Sequence, residues 1–540
     1  MLKKYFYMFF MGLFFLSAGC SRDSGYSIPD EYEDKPFYGG MLIDSSIGEP
    51  SILNPVLASD SSSSDITELI FNGLVKFDKN LKLTGDLAES WEIKDDGKLI
   101  VFHLKKGVKW HDGADFTAED VKFTYEKYMD PGVKTAYRSL FEPVSRVVVK
   151  DDYTLEVYYE KPFAPALQYW GASIIPRHIL HDKDFNSAEF NRNPVGTGPY
   201  VFKKWLTARQ IELEANENYF DGKPYISRYI YRIIPDQSVQ FMELASGSVD
   251  MMSLNSDLYF SRADTPEFKK KFNKFKIPAF TYVYIGYNNE NPLFADKKVR
   301  QALSYAVNRK EIIKNVKLGL ARPISGPFIP GSAFYNENVP YYRYDIEKAE
   351  KLLNEAGWRK NSSGMLEKDG KPFEFTLMTN QGNKERETIA AITQQQLSKL
   401  GIKVEIRVLA WSIFITEFIN KRKFDAVVMG WSLTRDPDCY DIWHSSKTKE
   451  GEFNFIAYSN PEVDRLCIEG REVYDPEKRA EIYRKIHSLI SEDAPYTFLY
   501  NPFALPAVHK RIHGIKPEPA GIGYNFTKWY IPEDLIKYAD

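Results

Sequence analysis

Segment 430–440 (GWSLTRDPDCY) gathers into one short loop an indole at Trp431, carboxylates at Asp436 and Asp438, and Pro437 to stiffen the backbone between them. An indole offers a broad apolar face with a donor at its edge, and a carboxylate offers acceptors. That is binding chemistry. Bond-making chemistry has no recognisable spacing here: G-x-S-x-G, H-E-x-x-H, C-x-x-C and a phosphate-binding loop are all missing from the sequence. No enzyme is therefore expected, with a secreted peptidase as the alternative whose residues converge only in space. Of the eight histidines, His509 and His513 have the i, i+4 spacing of helical metal ligands, yet Pro506 and Lys510-Arg511 favour a strand or loop. His178 and His181 read as surface residues of a short helix, and the lysines at 269–271, 274 and 276 as a solvated face. No metal and no cofactor is expected.

The loop needs a scaffold, and the preceding residues describe one. A helix capped by Asp345 and closed by Gly357 leads to a strand over 373–379, a helix over about 384–400 stopped by Gly401, and a strand over 402–408 that alternates apolar and polar residues without a break. A short helix near 412–420 then precedes a nearly continuous apolar strand, 424–431, which predicts a central, buried position. Strands joined by helices of this length form a right-handed parallel α/β sheet. Ligands of such sheets sit at the carboxyl ends of the strands, here 379–382, Ala410-Trp411 and 430–440. A second α/β lobe is read from strands at 40–43, 229–234 and 249–251, with a helix over about 237–245. Between its first two strands the texture changes to hairpins (Asp95-Asp96-Gly97) and a capping box, Thr117 to Asp120, which predicts an inserted α+β domain.

The 540 residues are 43% hydrophobic and 27% charged, ordinary for globular units, but 36 Phe, 35 Tyr and 9 Trp make the chain unusually aromatic. The net charge of −3 excludes a nucleic-acid binder. A mean hydropathy of −0.41 leaves room for one long apolar run only. That run, 5–18, follows Lys3-Lys4 and is too short to span a bilayer, which takes about 20 residues, so it reads as a signal peptide. It ends in Leu16-Ser-Ala-Gly-Cys20, which is similar to the lipobox of bacterial lipoproteins, making Cys20 the expected lipid attachment site. Cys439 and Cys467 are left to pair or stay free, too few for a disulfide scaffold.

The runs Leu87-Ala-Glu-Ser-Trp-Glu92, 104–113 (LKKGVKWHDG) and Phe116-Thr-Ala-Glu-Asp-Val121 resemble the signature of family 5 extracellular solute-binding proteins, which include the oligopeptide- and dipeptide-binding proteins of ABC importers. Val195-Gly-Thr-Gly-Pro-Tyr200, 294–303 (FADKKVRQAL), Tyr305-Ala-Val-Asn-Arg309 and Glu492-Asp-Ala-Pro-Tyr496 extend the resemblance along the chain. It implies a type II periplasmic-binding-protein-like fold: two α/β lobes with a hinge, plus the inserted domain. The implied layout is a signal peptide (1–19), a flexible tether (20–36), a first lobe built from 37–82, 195–285 and 501–540, an inserted domain (83–194) and a second ligand-binding lobe (286–500).

The resemblance also implies a function: a lipoprotein that captures oligopeptides in the cleft and delivers them to the transmembrane subunits of an ABC permease. Its expected location is extracytoplasmic, periplasmic in a two-membrane cell and on the outer face in a one-membrane cell. A monomer held to the membrane only through lipid is expected. The alternatives are a non-peptide solute (an oligosaccharide, a metal complex or haem) and a peptide sensor. By alignment, loop 60–63 falls where members offer main-chain groups to the ligand, which nominates Ser61 and Ser62; the same serines could equally cap a helix beginning near Asp65. Tyr137 stands where relatives bring a tyrosine over the ligand, or is a core residue. Trp411 and Trp431, the latter after Gly430, match tryptophans that line the cleft of oligopeptide binders. Those proteins carry an aspartate three residues after the second tryptophan, paired with the peptide's α-ammonium, but Thr434 stands there. Asp436 or Asp438 is expected to replace it, unless both merely form a turn. The arginine that some relatives place three residues before that tryptophan is Val428 here.

Overall fold

Residues 35–537 are described by a computed structural model. The signal peptide, Cys20 and nearly all of the tether lie outside them. The alternating strand and its neighbours form the expected parallel unit: Glu374–Asn380 pairs in parallel with Lys403–Leu409 on one side and with Ala426–Ser432 on the other. Ala426, Val427 and Val428 are fully buried, as the continuous apolar run requires. Asn383 caps the crossover helix Lys384–Ser398 by accepting from the Arg386 amide. The second crossover starts at Trp411 and continues as a π-helix, Phe414–Ile419. Trp411, just past the end of Lys403–Leu409, and Trp431, the penultimate residue of Ala426–Ser432, consequently stand at the same carboxyl edge of the sheet, with Glu374–Asn380 between their strands. Antiparallel strands Thr281–Tyr287 and Tyr496–Ala504 complete this sheet.

The other large sheet runs in the order Phe272–Lys274, Pro506–His509, Met251–Ser253, Met41–Ser46, Arg228–Ile233, Gln210–Ala215, Tyr200–Leu206. Between Met41–Ser46 and its parallel neighbour Arg228–Ile233 the chain builds a four-stranded antiparallel sheet, Ala88–Lys94, Leu99–Leu104, Thr154–Tyr159 and Val144–Asp151. Against it lies helix Ala118–Met129, whose Thr117/Asp120 capping box is formed. This inserted sheet and the first lobe share one apolar core, which joins Leu42 and Ile66 to Phe102, Trp110 and Trp170. The second lobe has separate cores. A shared core makes the first lobe and the insertion one rigid body.

The first helix, α1 (Ser61–Ile70), starts at the N-cap Asp60. Its end is fixed by the Gly196-Thr-Gly198 run: the Gly198 amide donates to the Ile70 carbonyl at 2.7 Å, and a Cβ on either glycine would collide with that carbonyl. The glycine motif therefore serves close packing beneath α1.

Two domain boundaries need correction. Position 285 falls inside Thr281–Tyr287, and 500 inside Tyr496–Ala504, both strands of the second lobe. The sheets divide instead between Lys274 and Ile277 and between Ala504 and Pro506. The two crossings run side by side. Phe272–Lys274 pairs with 507–509, the Phe275 amide donates to the Pro506 carbonyl at 2.9 Å, and Ile277–Pro278 pairs with 503–504. The lobes are thus joined by a continuous two-stranded antiparallel ribbon.

Candidate functional site

Between the lobes lies a cavity of about 1680 Å³ walled by α1, the inserted domain and the carboxyl edge of the second lobe's sheet. Asp60 organises its first wall. Its carboxylate accepts from the Ser63 amide and hydroxyl at 3.1 and 2.6 Å and from the Ser51 hydroxyl at 2.5 Å. The same carboxylate accepts from the Trp411 indole at 3.1 Å, a bond that crosses from the second lobe to the first. Ser61 lines the cavity. Ser62 does not: it is buried, with its hydroxyl against Gly48 on the inner side of α1, because successive helical residues point about 100° apart.

Tyr137, half-buried, enters from the inserted domain and meets Phe453 edge-on at 5.1 Å. Trp431 donates to the Tyr496 hydroxyl at 3.1 Å and stacks on Phe455 at 5.5 Å, leaving part of the indole in the cavity. Gly430, on the same wall, leaves room for the Arg386 guanidinium, whose Nη2 would lie 3.2 Å from a Cβ there. On its Glu374–Asn380 side the ladder of strand Ala426–Ser432 stops at Val427, with the Val428 carbonyl accepting from the Thr379 hydroxyl at 3.1 Å, while pairing with Thr281–Tyr287 continues to Ser432.

Asp436 and Asp438 also face the cavity, but their carboxylates are not free. Asp436 accepts two bonds from Arg479, at 2.6 and 2.7 Å. Asp438, 1% exposed, accepts from Arg471 Nε at 2.7 Å and from the Tyr169 hydroxyl. Each also accepts a backbone amide two residues on, the geometry of a turn. The expectation that one of them waits for an α-ammonium is corrected accordingly: guanidinium groups already occupy both. Asp438 works instead with Asp441, which accepts from Ser139, to tie the second lobe to the inserted domain.

Sequence reasoning missed the cavity's unmatched charges. Asp65 and Glu68, one turn apart on α1, face the interior and make no ion pair among the described residues. Enclosure by the cavity walls, reinforced by Glu68, Asp44 and Asp60, raises Asp65, and the same enclosure raises Glu68, while both side chains stay exposed to the solvent of the cavity. Their i, i+3 spacing was the available signal. Arg435 stood unassigned in the candidate loop.

Burial also pushes Asp44 and Asp441 up to about 6. An unfolded aspartate loses its proton near 3.9. Between that pH and the raised values the folded chain holds more protons than the unfolded one, so these groups make stability fall as pH rises. Thermal melting should give a higher Tm at pH 5 than at pH 7.5, and Asp44→Asn with Asp441→Asn should reduce the difference, leaving the part that Asp65 and Glu68 contribute. An unchanged slope in that double variant would assign the pH dependence elsewhere.

The model of bacterial extracellular solute-binding proteins, family 5, matches residues 82–453. The chain belongs to this family. This family 5 protein is 39% identical over 532 residues to the oligopeptide-binding protein AppA of Bacillus subtilis (strain 168), an alignment that spans 96% of each. The solved structure of that AppA in complex with a nonapeptide matches it with a TM-score of 0.88 at 38% identity, over 92% of this chain and 100% of the other. NikZ from Campylobacter jejuni in complex with Ni(L-His) matches with a TM-score of 0.82 at 30% identity, over 91% and 99%. These relatives are solute-binding proteins, so the family 5 chain is a binder and not an enzyme, and its two-lobed fold is theirs. Among the described residues no helix is long and apolar enough to cross a membrane, and no cluster of three or more His, Cys, Asp or Glu could hold a metal. Cys439 and Cys467 are buried thiols with sulfurs 3.9 Å apart.

Proposed function

We propose that the chain is the extracytoplasmic substrate-binding lipoprotein of an ABC importer, which captures oligopeptides between its lobes and delivers them to the permease. The half-paired strand at the cavity wall carries this reading: beyond Val428, the backbone of residues 429–432 borders a space into which an extended peptide can add as a further strand. Backbone pairing of that kind gives affinity without demanding particular side chains. At about 1680 Å³ the cavity exceeds the roughly 300–1,000 Å³ of drug-sized sites, as an oligopeptide requires. Closure follows from bending of the two-stranded ribbon, with Trp411–Asp60 and Arg471–Asp438–Tyr169 as contacts made when the lobes meet.

Native mass spectrometry of the gently extracted full-length protein tests the ligand. A ladder of bound masses that fragment as peptides is expected; a single metal complex or other non-peptide mass would replace the peptide reading. The anchor has its own test. Cys20→Ser should move the protein from the membrane fraction to the soluble fraction, and persistent membrane association without attached lipid would refute lipidation at Cys20.

A further inference from the structure

We infer that Cys439 and Cys467 join as a disulfide in the exported protein, a covalent tie that holds the Asp438 loop against the helix carrying Arg471. The oxidising surroundings this needs rest on the extracytoplasmic reading above.

The chain has three cysteines, and Cys20 is the expected lipid site, so each of the other two has a single partner. Both are buried, 6% and 0% exposed, and their sulfurs touch at 3.9 Å. A sulfur–sulfur bond is about 2.05 Å long, so the pair has to close by less than about 2 Å, within the reach of side-chain rotation. Cys439 follows Asp438 and caps the short helix Tyr440–Trp443, its carbonyl accepting from the Trp443 amide at 3.1 Å. On either side of it, Asp438 and Asp441 meet the inserted domain at Tyr169 and Ser139. Cys467 stands four residues before Arg471 on helix Pro461–Glu472, hence on the same face. A bond between the sulfurs therefore backs the Asp438–Arg471 pair. It also closes residues 439–467 into a ring carrying Phe453 and Phe455, which pack on Tyr137 and Trp431 at the cavity.

The bond forms by exchange with an oxidant that is itself a disulfide. The thiolate of one cysteine attacks the oxidant to give a mixed disulfide, and the thiolate of the other displaces the oxidant as a dithiol. Two S–H bonds and the oxidant's S–S bond break, one S–S bond forms in the protein, and two electrons and two protons end on the oxidant. Burial holds the Cys439 thiol protonated in the closed molecule, so exchange belongs to the folding or open chain. Cys439 lines the cavity and is the sulfur that opening uncovers.

The test begins with the full-length protein taken from cells, alkylated with iodoacetamide in denaturant without reductant and mapped by mass spectrometry. A fragment pair linked through Cys439 and Cys467 is expected; alkylation of both cysteines in most chains overturns the inference. Dithiothreitol should then lower Tm by about 5 °C, because the ring no longer restrains the unfolded chain. It should also weaken binding of a nonapeptide by about threefold, because the loop loses its preorganisation. Cys467→Ala should remove both responses, and a response that persists in it overturns the assignment. Should that variant melt early, the oxidised and reduced wild type carry the comparison. Equal Tm and affinity in the two states overturn the tie between the bond and the loop. Absence of peptide binding in both states overturns the oligopeptide reading and leaves the mapped bond standing.

Discussion

Replacing Arg471 by alanine is expected to weaken ligand binding by about two to three orders of magnitude while leaving each lobe folded. The Arg471 side chain is 7% exposed and its Asp438 partner 1% exposed. Nε donates to Asp438 at 2.7 Å, Nη2 reaches the Ser139 hydroxyl of the inserted domain at 3.3 Å, and the guanidinium stacks on Tyr440 at 3.9 Å. Without it, Asp438 keeps the Tyr169 hydroxyl and the Tyr440 amide but no cation, and a buried charge stripped of its partner costs about 3–5 kcal/mol. The cost falls on the closed form, since separating the inserted domain from the second lobe opens the pair to water. Every 1.4 kcal/mol of lost closure is about tenfold in affinity. Arg471→Met combined with Asp438→Asn should recover most of the loss, because neither partner is then an orphan charge. Calorimetry with one peptide across the cycle checks this. Full affinity in Arg471→Ala alone would show that the pair has no part in closure.

Arg511→Ala is expected to produce the complementary result, lost stability with little change in affinity at 25 °C. Arg511 and Asp250, each with a 2% exposed side chain, pair at 2.5 Å within the first lobe. Asp250 also accepts from the Ile43 amide, and Arg511 donates to the Met41 carbonyl at 2.7 Å, so the pair pins the C-terminal segment to the central strand. Nothing of this pair reaches the cavity. Truncation again leaves a buried carboxylate, at about 3–5 kcal/mol, which lowers Tm by on the order of 10 °C. A melting curve beside a peptide titration reads both quantities. Unchanged Tm would mean that the segment after the second crossing is held by its apolar contacts alone.

What the sequence revealed and what it concealed divide along the range of the interactions. The uninterrupted alternation of 402–408, the apolar run of 424–431 and the Thr117 capping box are local, and each element formed where it was read. The tryptophans follow from strand order, which places both at one edge. Asp436 and Asp438 show where this ends: their arginines lie 43 and 33 residues further on, and nothing in the loop itself reveals that its carboxylates are taken. Asp65 and Glu68 went unassigned because the cavity walls opposite them come from remote segments. The boundary at 285 failed because TYVYIGY is a buried strand in either lobe, and only pairing assigns it.

The ribbon between the lobes also governs the order in which the molecule can be assembled. Pro506–His509 lies between Met251–Ser253 and Phe272–Lys274, and Tyr496–Ala504 between Ile277–Pro278 and Thr281–Tyr287. Both large sheets are therefore closed by strands inserted into their interiors from the last tenth of the chain. A polypeptide growing from its N-terminus has every other strand of both lobes available and still leaves a slot open in each. Neither lobe can finish before the other, so two halves that look separable in space mature as one unit, and only when synthesis is nearly complete.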